Sequence, residues 1–207
     1  MSTYYSLVFS YDRNTLKPDP AAIFYNALIS AGAEFRGGIF EDSELSLDEI
    51  ININSQRLIE NYELGHEEKS SNDYKQAIFA LGGFSGARVL IMNNDPTYGE
   101  YYFIILLNEN EVMNGSSGIS YKKDSIDRLL VLAKSVMKST GALLVQTEPE
   151  ICSETVSYEE YKNTRQINAY PFALSGKSSA EFADKRYYTV FPEGELAVIY
   201  DKEYNLT

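Results

Sequence analysis

Apolar residues recur along this 207-residue chain in two kinds of spacing, and the switches between them mark out its elements. Thr3-Tyr-Tyr-Ser-Leu-Val-Phe-Ser-Tyr11 is dense in aromatic and β-branched types and predicts a first strand over 3–11. Pro18-Asp-Pro20 then opens a helix over 21–31, with Ile23, Phe24, Ala27 and Leu28 as its apolar stripe and Gly32 as its stop. A second strand is expected over 34–40, where the Gly37-Gly38 pair suits a bulge. Ser46-Leu-Asp-Glu49 has the form of a capping box, the serine accepting from a free amide and the glutamate reaching back. It predicts a helix from Leu47 to Leu64, closed by Gly65, with Leu47, Ile51, Leu58 and Tyr62 on one side.

Another helix is expected over 70–81, stopped by Gly82-Gly83. Strands follow over 87–92 and 100–107, joined by a proline- and glycine-containing turn at 93–99. Residues 114–118 read as a further turn. The clearest helix covers 125–139, with Asp124 as N-cap, Ile126, Leu129, Leu130, Ala133 and Met137 at helical spacing, and Gly141 as stop. Then come a strand over 142–146, a short helix over 158–162 and strands over 168–174, 187–191 and 196–200. Hairpins among crossovers, without internal repeat or linker, predict one α+β domain over residues 1–207. Its sheet should be mainly antiparallel or mixed, with helices packed on one face.

The longest apolar run, Phe103-Ile-Ile-Leu-Leu107, has strand length, against the roughly 18 residues a membrane helix requires. No basic start followed by an apolar stretch marks a secretory signal. Cys152 stands alone and can form no internal disulfide, which suits a reducing cytoplasm.

Charge changes the picture more than composition does. The chain carries 30 acidic and 18 basic residues, a formal charge of −12. Nine carboxylates, Glu41, Asp42, Glu44, Asp48, Glu49, Glu60, Glu63, Glu67 and Glu68, share one stretch with a single base, Arg57. Five more, Glu148, Glu150, Glu154, Glu159 and Glu160, form a second stretch with no base. The rest of the chain is nearly neutral. A field of this sign repels nucleic acid and anionic membranes and attracts a basic protein. The same charge also serves plain solubility.

Tyrosine occurs 17 times and tryptophan not at all. Its stiff apolar body and polar tip suit strand surfaces and half-wet interfaces alike. For the N-terminal cluster the strand reading is favoured. Tyr62, beside Glu60 and Glu63, and Tyr158 and Tyr161, flanking Glu159 and Glu160, fit either role.

Motifs for chemistry are sparse. His66 is the only histidine and lies 86 positions from the only cysteine, so a zinc site lacks ligands. Gly83-Phe-Ser-Gly-Ala87 approaches the nucleophile elbow but ends in alanine. The expected helix before and strand after it also reverse the order an elbow requires. Dinucleotide, P-loop and EF-hand patterns are missing. Paired carboxylates are too numerous for any two to be singled out as acid and base. No catalytic residue, cofactor or metal is therefore expected.

A short, acidic, tyrosine-rich α+β chain without catalytic motifs resembles the immunity proteins of bacterial contact-dependent and polymorphic toxin systems. That resemblance implies a tight, non-enzymatic complex with one basic cognate toxin domain, such as a nuclease, in the bacterial cytoplasm. The contact surface expected from the charge pattern comprises Glu41, Asp42, Glu44, Asp48, Glu49, Glu60, Tyr62, Glu63, Glu67 and Glu68 with Tyr158, Glu159, Glu160 and Tyr161. For both stretches to serve one partner they should approach each other in space. The alternative is an enzyme or small-ligand-binding protein whose site is assembled from unrelated positions, which predicts a pocket with perturbed carboxylates instead.

Overall fold

Strand β1 (Tyr4–Asp12) sits in the middle of a nine-stranded sheet because both of its neighbours come from far along the chain. In the computed structural model, which describes residues 3–39, 42–61, 74–93, 99–114, 120–150 and 155–203, β1 pairs with β5 (Glu100–Asn108) on one side and β8 (Leu144–Pro149) on the other. Beyond β5 lie β4 (Ala87–Met92), β3 (Ala77–Ala80) and β2 (Glu34–Gly38). Beyond β8 lie β9 (Phe172–Gly176), β11 (Leu196–Asp201) and β10 (Tyr188–Glu193). Every ladder between neighbouring strands is antiparallel.

The period-2 rule divides the sheet into two faces. Tyr5, Leu7, Phe9 and Tyr11 stand beside Leu107, Ile105, Phe103 and Tyr101 on one face, and all eight are buried. Helices α1 (Pro20–Ser30), α2 (Leu47–Ile59) and α4 (Lys123–Thr140) cover this face. Phe24 of α1 stacks on Phe103 with ring centroids 4.2 Å apart, and Tyr25 stacks on Phe79 at 5.8 Å. This main cluster draws residues from Tyr5 to Val198, so one core runs across the sheet. A four-residue helix, α3 (Glu109–Val112), leads into a small ribbon of β6 (Met113–Asn114) and β7 (Ser120–Tyr121).

The opposite face carries its own cluster beside β8, β9 and β11. Leu144, Ala173 and Ile199 are buried there under Tyr161, Ile167, Ala169 and Ala183, supplied by α5 (Tyr158–Thr164) and the chain that follows it. The antiparallel α+β architecture agrees with the sequence pattern. The three long helices share one face, while the short α5 lies on the other.

Several local readings change. The helix expected over 70–81 is not present in its described part: residues 77–80 form β3. Ala77 and Phe79 are fully buried while Ile78 between them is exposed, an alternation only a strand can produce. Helix α2 stops at Ile59 because Asn61 takes a left-handed conformation with φ 55°, one that asparagine tolerates better than most residues. The N-cap of α4 is Lys122, not Asp124, which falls in the first turn where its charge suits the helix dipole. Residues 168–171 precede β9 instead of forming its start, joined to β8 by a parallel bridge from Ala169 to Thr147 and by side-chain hydrogen bonds. The Gly37 region does contain the expected irregularity in β2.

Both sheet edges are poor templates for a further strand. At one edge β2 is bulged and carries the exposed Glu34–Arg36 pair. At the other, the Lys202 amide donates to the Tyr187 carbonyl, which makes Tyr188–Asp201 a non-hydrogen-bonded pair. By alternation the amide of position 192 would point outward, and proline there removes that donor.

Candidate functional site

The first acidic stretch is built around α2. Its capping box forms as expected: the Ser46 side chain accepts from the Glu49 amide at 3.3 Å, and the Ser46 amide donates to the Glu49 carboxylate at 2.8 Å. The Ser46 hydroxyl, which donates to the Glu49 carboxylate, and then the Ser46 amide hold the Glu49 carboxyl below its ordinary range. Ile50 and Leu58 are fully buried in the main core and fix which side of the helix faces outward. Glu44, Asp48 and Glu60 are left exposed, Glu60 accepting from Gln56 one turn earlier at 2.8 Å.

Asp42 has a different fate. Its carboxylate receives the Lys75 ammonium at 2.6 Å, with side-chain exposures of 19% and 10%. Such a screened pair holds structure and offers little to a partner. The Lys75 backbone is fastened as well, its amide donating to Asn54 Oδ1 and its carbonyl accepting from Asn54 Nδ2, at 2.7 and 2.8 Å. Asn54 is fully buried and ties α2 to the lead-in of β3. Glu41, Tyr62, Glu63, Glu67 and Glu68 lie outside the described residues, as do His66 and Cys152.

The second acidic stretch is largely absorbed into the fold. Ser157 caps α5 by accepting from the Glu160 amide at 3.0 Å. The remaining amides at that end are met by a residue the sequence reading did not single out. Glu100, at the start of β5, accepts from the Tyr158 amide at 2.9 and 3.0 Å and from the Glu159 amide at 3.4 Å. Burial raises the Glu100 carboxyl against the effect of these bonds. Glu148 is raised too, by burial, although Asn168 and Thr155 donate to it at 2.9 and 3.3 Å. No salt bridge reaches either carboxylate among the described residues.

Tyr161 is fully buried and donates to the Ser179 carbonyl at 3.0 Å, and burial pushes its phenol up to about 12. Its side chain is therefore part of the interior and is unavailable as a contact residue. Tyr158 is half-buried, its hydroxyl bonded to that of Ser179 at 2.8 Å and its ring beneath the Lys162 ammonium. Glu159 is paired with Lys162, whereas among the described residues of this stretch Glu150 and Glu160 are exposed and in no salt bridge, Glu150 accepting from the Tyr4 amide at 2.9 Å. The described parts of the two acidic stretches do not converge. Ile50 and Leu58 anchor α2 on the helix-covered face, whereas Tyr161 anchors α5 on the opposite one.

Beside α5 lies a cavity of about 560 Å³, its wall more polar than apolar. Glu160 and Asp201 both line it, with Tyr170, Tyr188, Thr155 and Asn168, and among the described residues no lysine or arginine does. Neither carboxylate takes part in a salt bridge among the described residues. The Tyr188 hydroxyl donates to the Ile167 carbonyl at 2.6 Å and accepts from the Ile167 amide at 3.3 Å, which fixes the loop that forms one wall. Because these residues come from four separate parts of the chain, no local spacing could have revealed them.

On the helical side an apolar groove of about 420 Å³ runs between the end of α1 and α4, past Phe84, Val131 and Leu132. The near-elbow at Ser85 is a hairpin turn between β3 and β4, with Ser85 bonded to Glu111 through its amide and hydroxyl. Among the described residues no group of three or more potential ligands is arranged to hold a metal, and no helix is long and apolar enough to cross a membrane. The chain matches no protein-family model and no curated protein.

Proposed function

We propose that this protein is a non-enzymatic binding protein, an immunity protein of the bacterial cytoplasm that neutralises a basic toxin domain, such as a nuclease, by tight association. The observation that carries this reading is the state of the carboxylates along α2. Glu44, Asp48 and Glu60 are exposed, and no salt bridge neutralises them among the described residues. Carboxylates presented in this way speed encounter with a basic surface and take the place that phosphates occupy on a nucleic-acid substrate. Asp48 lies in α2 and Glu60 at its C-cap, with Glu44 just before it, and the helix is anchored by a capping box and two core residues, so little order has to be gained on binding. Docking here uses one acidic region, since the second lies on the other face.

The test compares the wild-type protein with the triple variant Glu44→Lys, Asp48→Lys, Glu60→Lys in association with a candidate basic toxin domain, from low to high salt. The association rate at low salt should fall by roughly tenfold or more and lose most of its salt dependence. An unchanged rate with an unchanged salt slope rules out α2 as the docking surface. A second reading, a small-ligand-binding protein, is favoured by the polar cavity beside α5, whose wall holds two carboxylates outside any salt bridge.

A further inference from the structure

The two halves of one sheet face are covered unequally. On the face turned away from α1, α2 and α4, α5 and the chain after it pack beside β8, β9 and β11. Next to that region lie β5, β4 and β3, and register sets which of their side chains share this face. Ile78 stands beside Arg88 and Arg88 beside Leu106; Leu90 is beside Ile104, and Met92 beside Tyr102. None of these apolar side chains joins either core cluster of the described residues. Ile78 is 37% exposed, Leu90, Met92, Tyr102 and Leu106 are half-buried, and Ile104 is buried. A sheet face left to water ordinarily carries polar residues at these alternate positions. This one does not.

Shape and charge restrict what can cover it. Three adjacent strands make a floor roughly 10 Å across between the outer strand axes, about the diameter of one α-helix. The border towards α5 is acidic. Tyr102 donates to Glu100 at 3.4 Å, and its phenol is raised by burial and then by the charges of Glu100, Glu160 and Glu148. None of those three carboxylates is in a salt bridge among the described residues. On the floor itself, the Arg88 guanidinium donates to Gln76 Oε1. A second copy of the chain would bring another −12 against this border. The chain's own segment 62–73 is no better matched, with Glu63, Glu67, Glu68 and Asp73 against Lys69. A helix with apolar residues at i, i+3, i+4 and i+7 over the strands, and with bases on the flank towards α5, satisfies both floor and border.

We propose that this face docks an amphipathic helix of another protein, its apolar stripe on β3, β4 and β5 and its lysine or arginine flank along the border of Glu100, Glu148 and Glu160. The face lies opposite α2, and the proposal stands whether or not α2 docks a toxin.

NMR of methyl-labelled methionine reads this surface directly, because Met92 lies on it while Met113 and Met137 are buried in the main core. The Met92 signal is assigned by its loss in Met92→Leu. The probe is a capped amphipathic peptide of leucine, lysine and glutamine, with leucine at helical spacing and lysine on one flank; a scrambled peptide of the same composition is the control. A saturable shift of Met92, with Met137 unmoved, is expected from the amphipathic peptide and not from the scrambled one. Leu90→Thr with Leu106→Thr keeps strand-forming residues, removes apolar surface and should weaken binding by about tenfold or more, with far-UV circular dichroism unchanged. Glu160→Gln should weaken it by about two- to fivefold, the usual weight of an exposed ion pair. The Glu44→Lys, Asp48→Lys, Glu60→Lys variant should bind the peptide as wild type does. No saturable Met92 shift, an equal response to the scrambled peptide, or undiminished binding by the double leucine variant overturns the proposal. A Met92 shift that grows with protein concentration alone, with dimers in sedimentation, assigns the face to a second copy and overturns it as well.

Discussion

Helices α2 and α5 both begin at a serine cap and both carry clustered carboxylates, yet they spend that charge in opposite directions. Along α2 the structure consumes Asp42, in its pair with Lys75, and Glu49, in the capping box, and leaves Glu44, Asp48 and Glu60 to solvent. At α5 the helix amides consume the buried Glu100, Lys162 takes Glu159, and the interior takes Tyr161. A segment's charge count therefore locates its anions without saying whether water or protein holds them. The difference comes from what lies beneath each helix. Under α2 there is an apolar core that receives Ile50 and Leu58, whereas α5 covers a sheet face on which Glu100 and Glu148 are themselves half-enclosed and need donors.

The sharpest way to break the comparison is to remove the residue that makes α5 structural. Tyr161→Ala deletes a fully buried ring and the bond to Ser179, and should lower global stability by about 3–5 kcal/mol, the range for a buried aromatic truncated to alanine. Urea unfolding followed by circular dichroism measures it. A loss below about 1 kcal/mol would mean that α5 and its loop are an appendage, not a second core.

A smaller effect should come from Glu100. Glu100→Ala leaves the Tyr158 and Glu159 amides without their acceptor and should cost about 1–3 kcal/mol, while Glu100→Gln retains an acceptor oxygen and should cost less. The pH profile separates capping from charge. Burial raises the carboxyls of Glu100 and Glu148, so the folded protein holds their protons at a higher pH than the unfolded chain does. Their contribution to stability consequently improves as pH falls from neutrality through the raised values and levels off near the ordinary value of 4.5. Glu49, on α2, runs the other way: its carboxyl is lowered, so its contribution is present above 4.5 and is lost as pH falls through the depressed value. The double variant Glu100→Gln, Glu148→Gln should abolish the gain on mild acidification and keep the loss at lower pH. A wild-type profile that only declines on acidification would contradict the raised direction for both groups.

How much of this could be read from the sequence follows the range of the interactions. The capping box at Ser46, the αL stop at Gly141 and the period of α4 depend on neighbours within a few positions, and they stand where the pattern put them. Alternation was harder to recognise in Ala77–Ala80, because its four residues follow a polar lead-in whose role is set by Asn54, 21 positions earlier. Glu100 carries no local mark at all. It becomes a cap only because β5 and α5, 58 positions apart, meet on one face. The cavity residues Glu160, Tyr188 and Asp201 share that condition. What could be foreseen was the sign of the field, and what could not was which carboxylates remain free to project it.

The least perturbing change should be the one aimed at function. Replacing Glu44, Asp48 and Glu60 by lysine alters the net charge by six units, from −12 to −6, yet no buried group or core contact is touched. Asp48 lies in the first turn of α2, where a cation is unfavourable, and Glu60 at the C-cap, where a cation is favourable, so the dipole effects oppose each other. Relief of self-repulsion works in the stabilising direction. Urea unfolding of the triple variant should therefore lie within about 0.5 kcal/mol of wild type, the usual range for surface substitutions. Equal stability gives a slower association with the partner only one source, the field of α2. A loss above about 1 kcal/mol would instead place these carboxylates among the groups that hold the fold, as at α5, and would erase the distinction between the two helices.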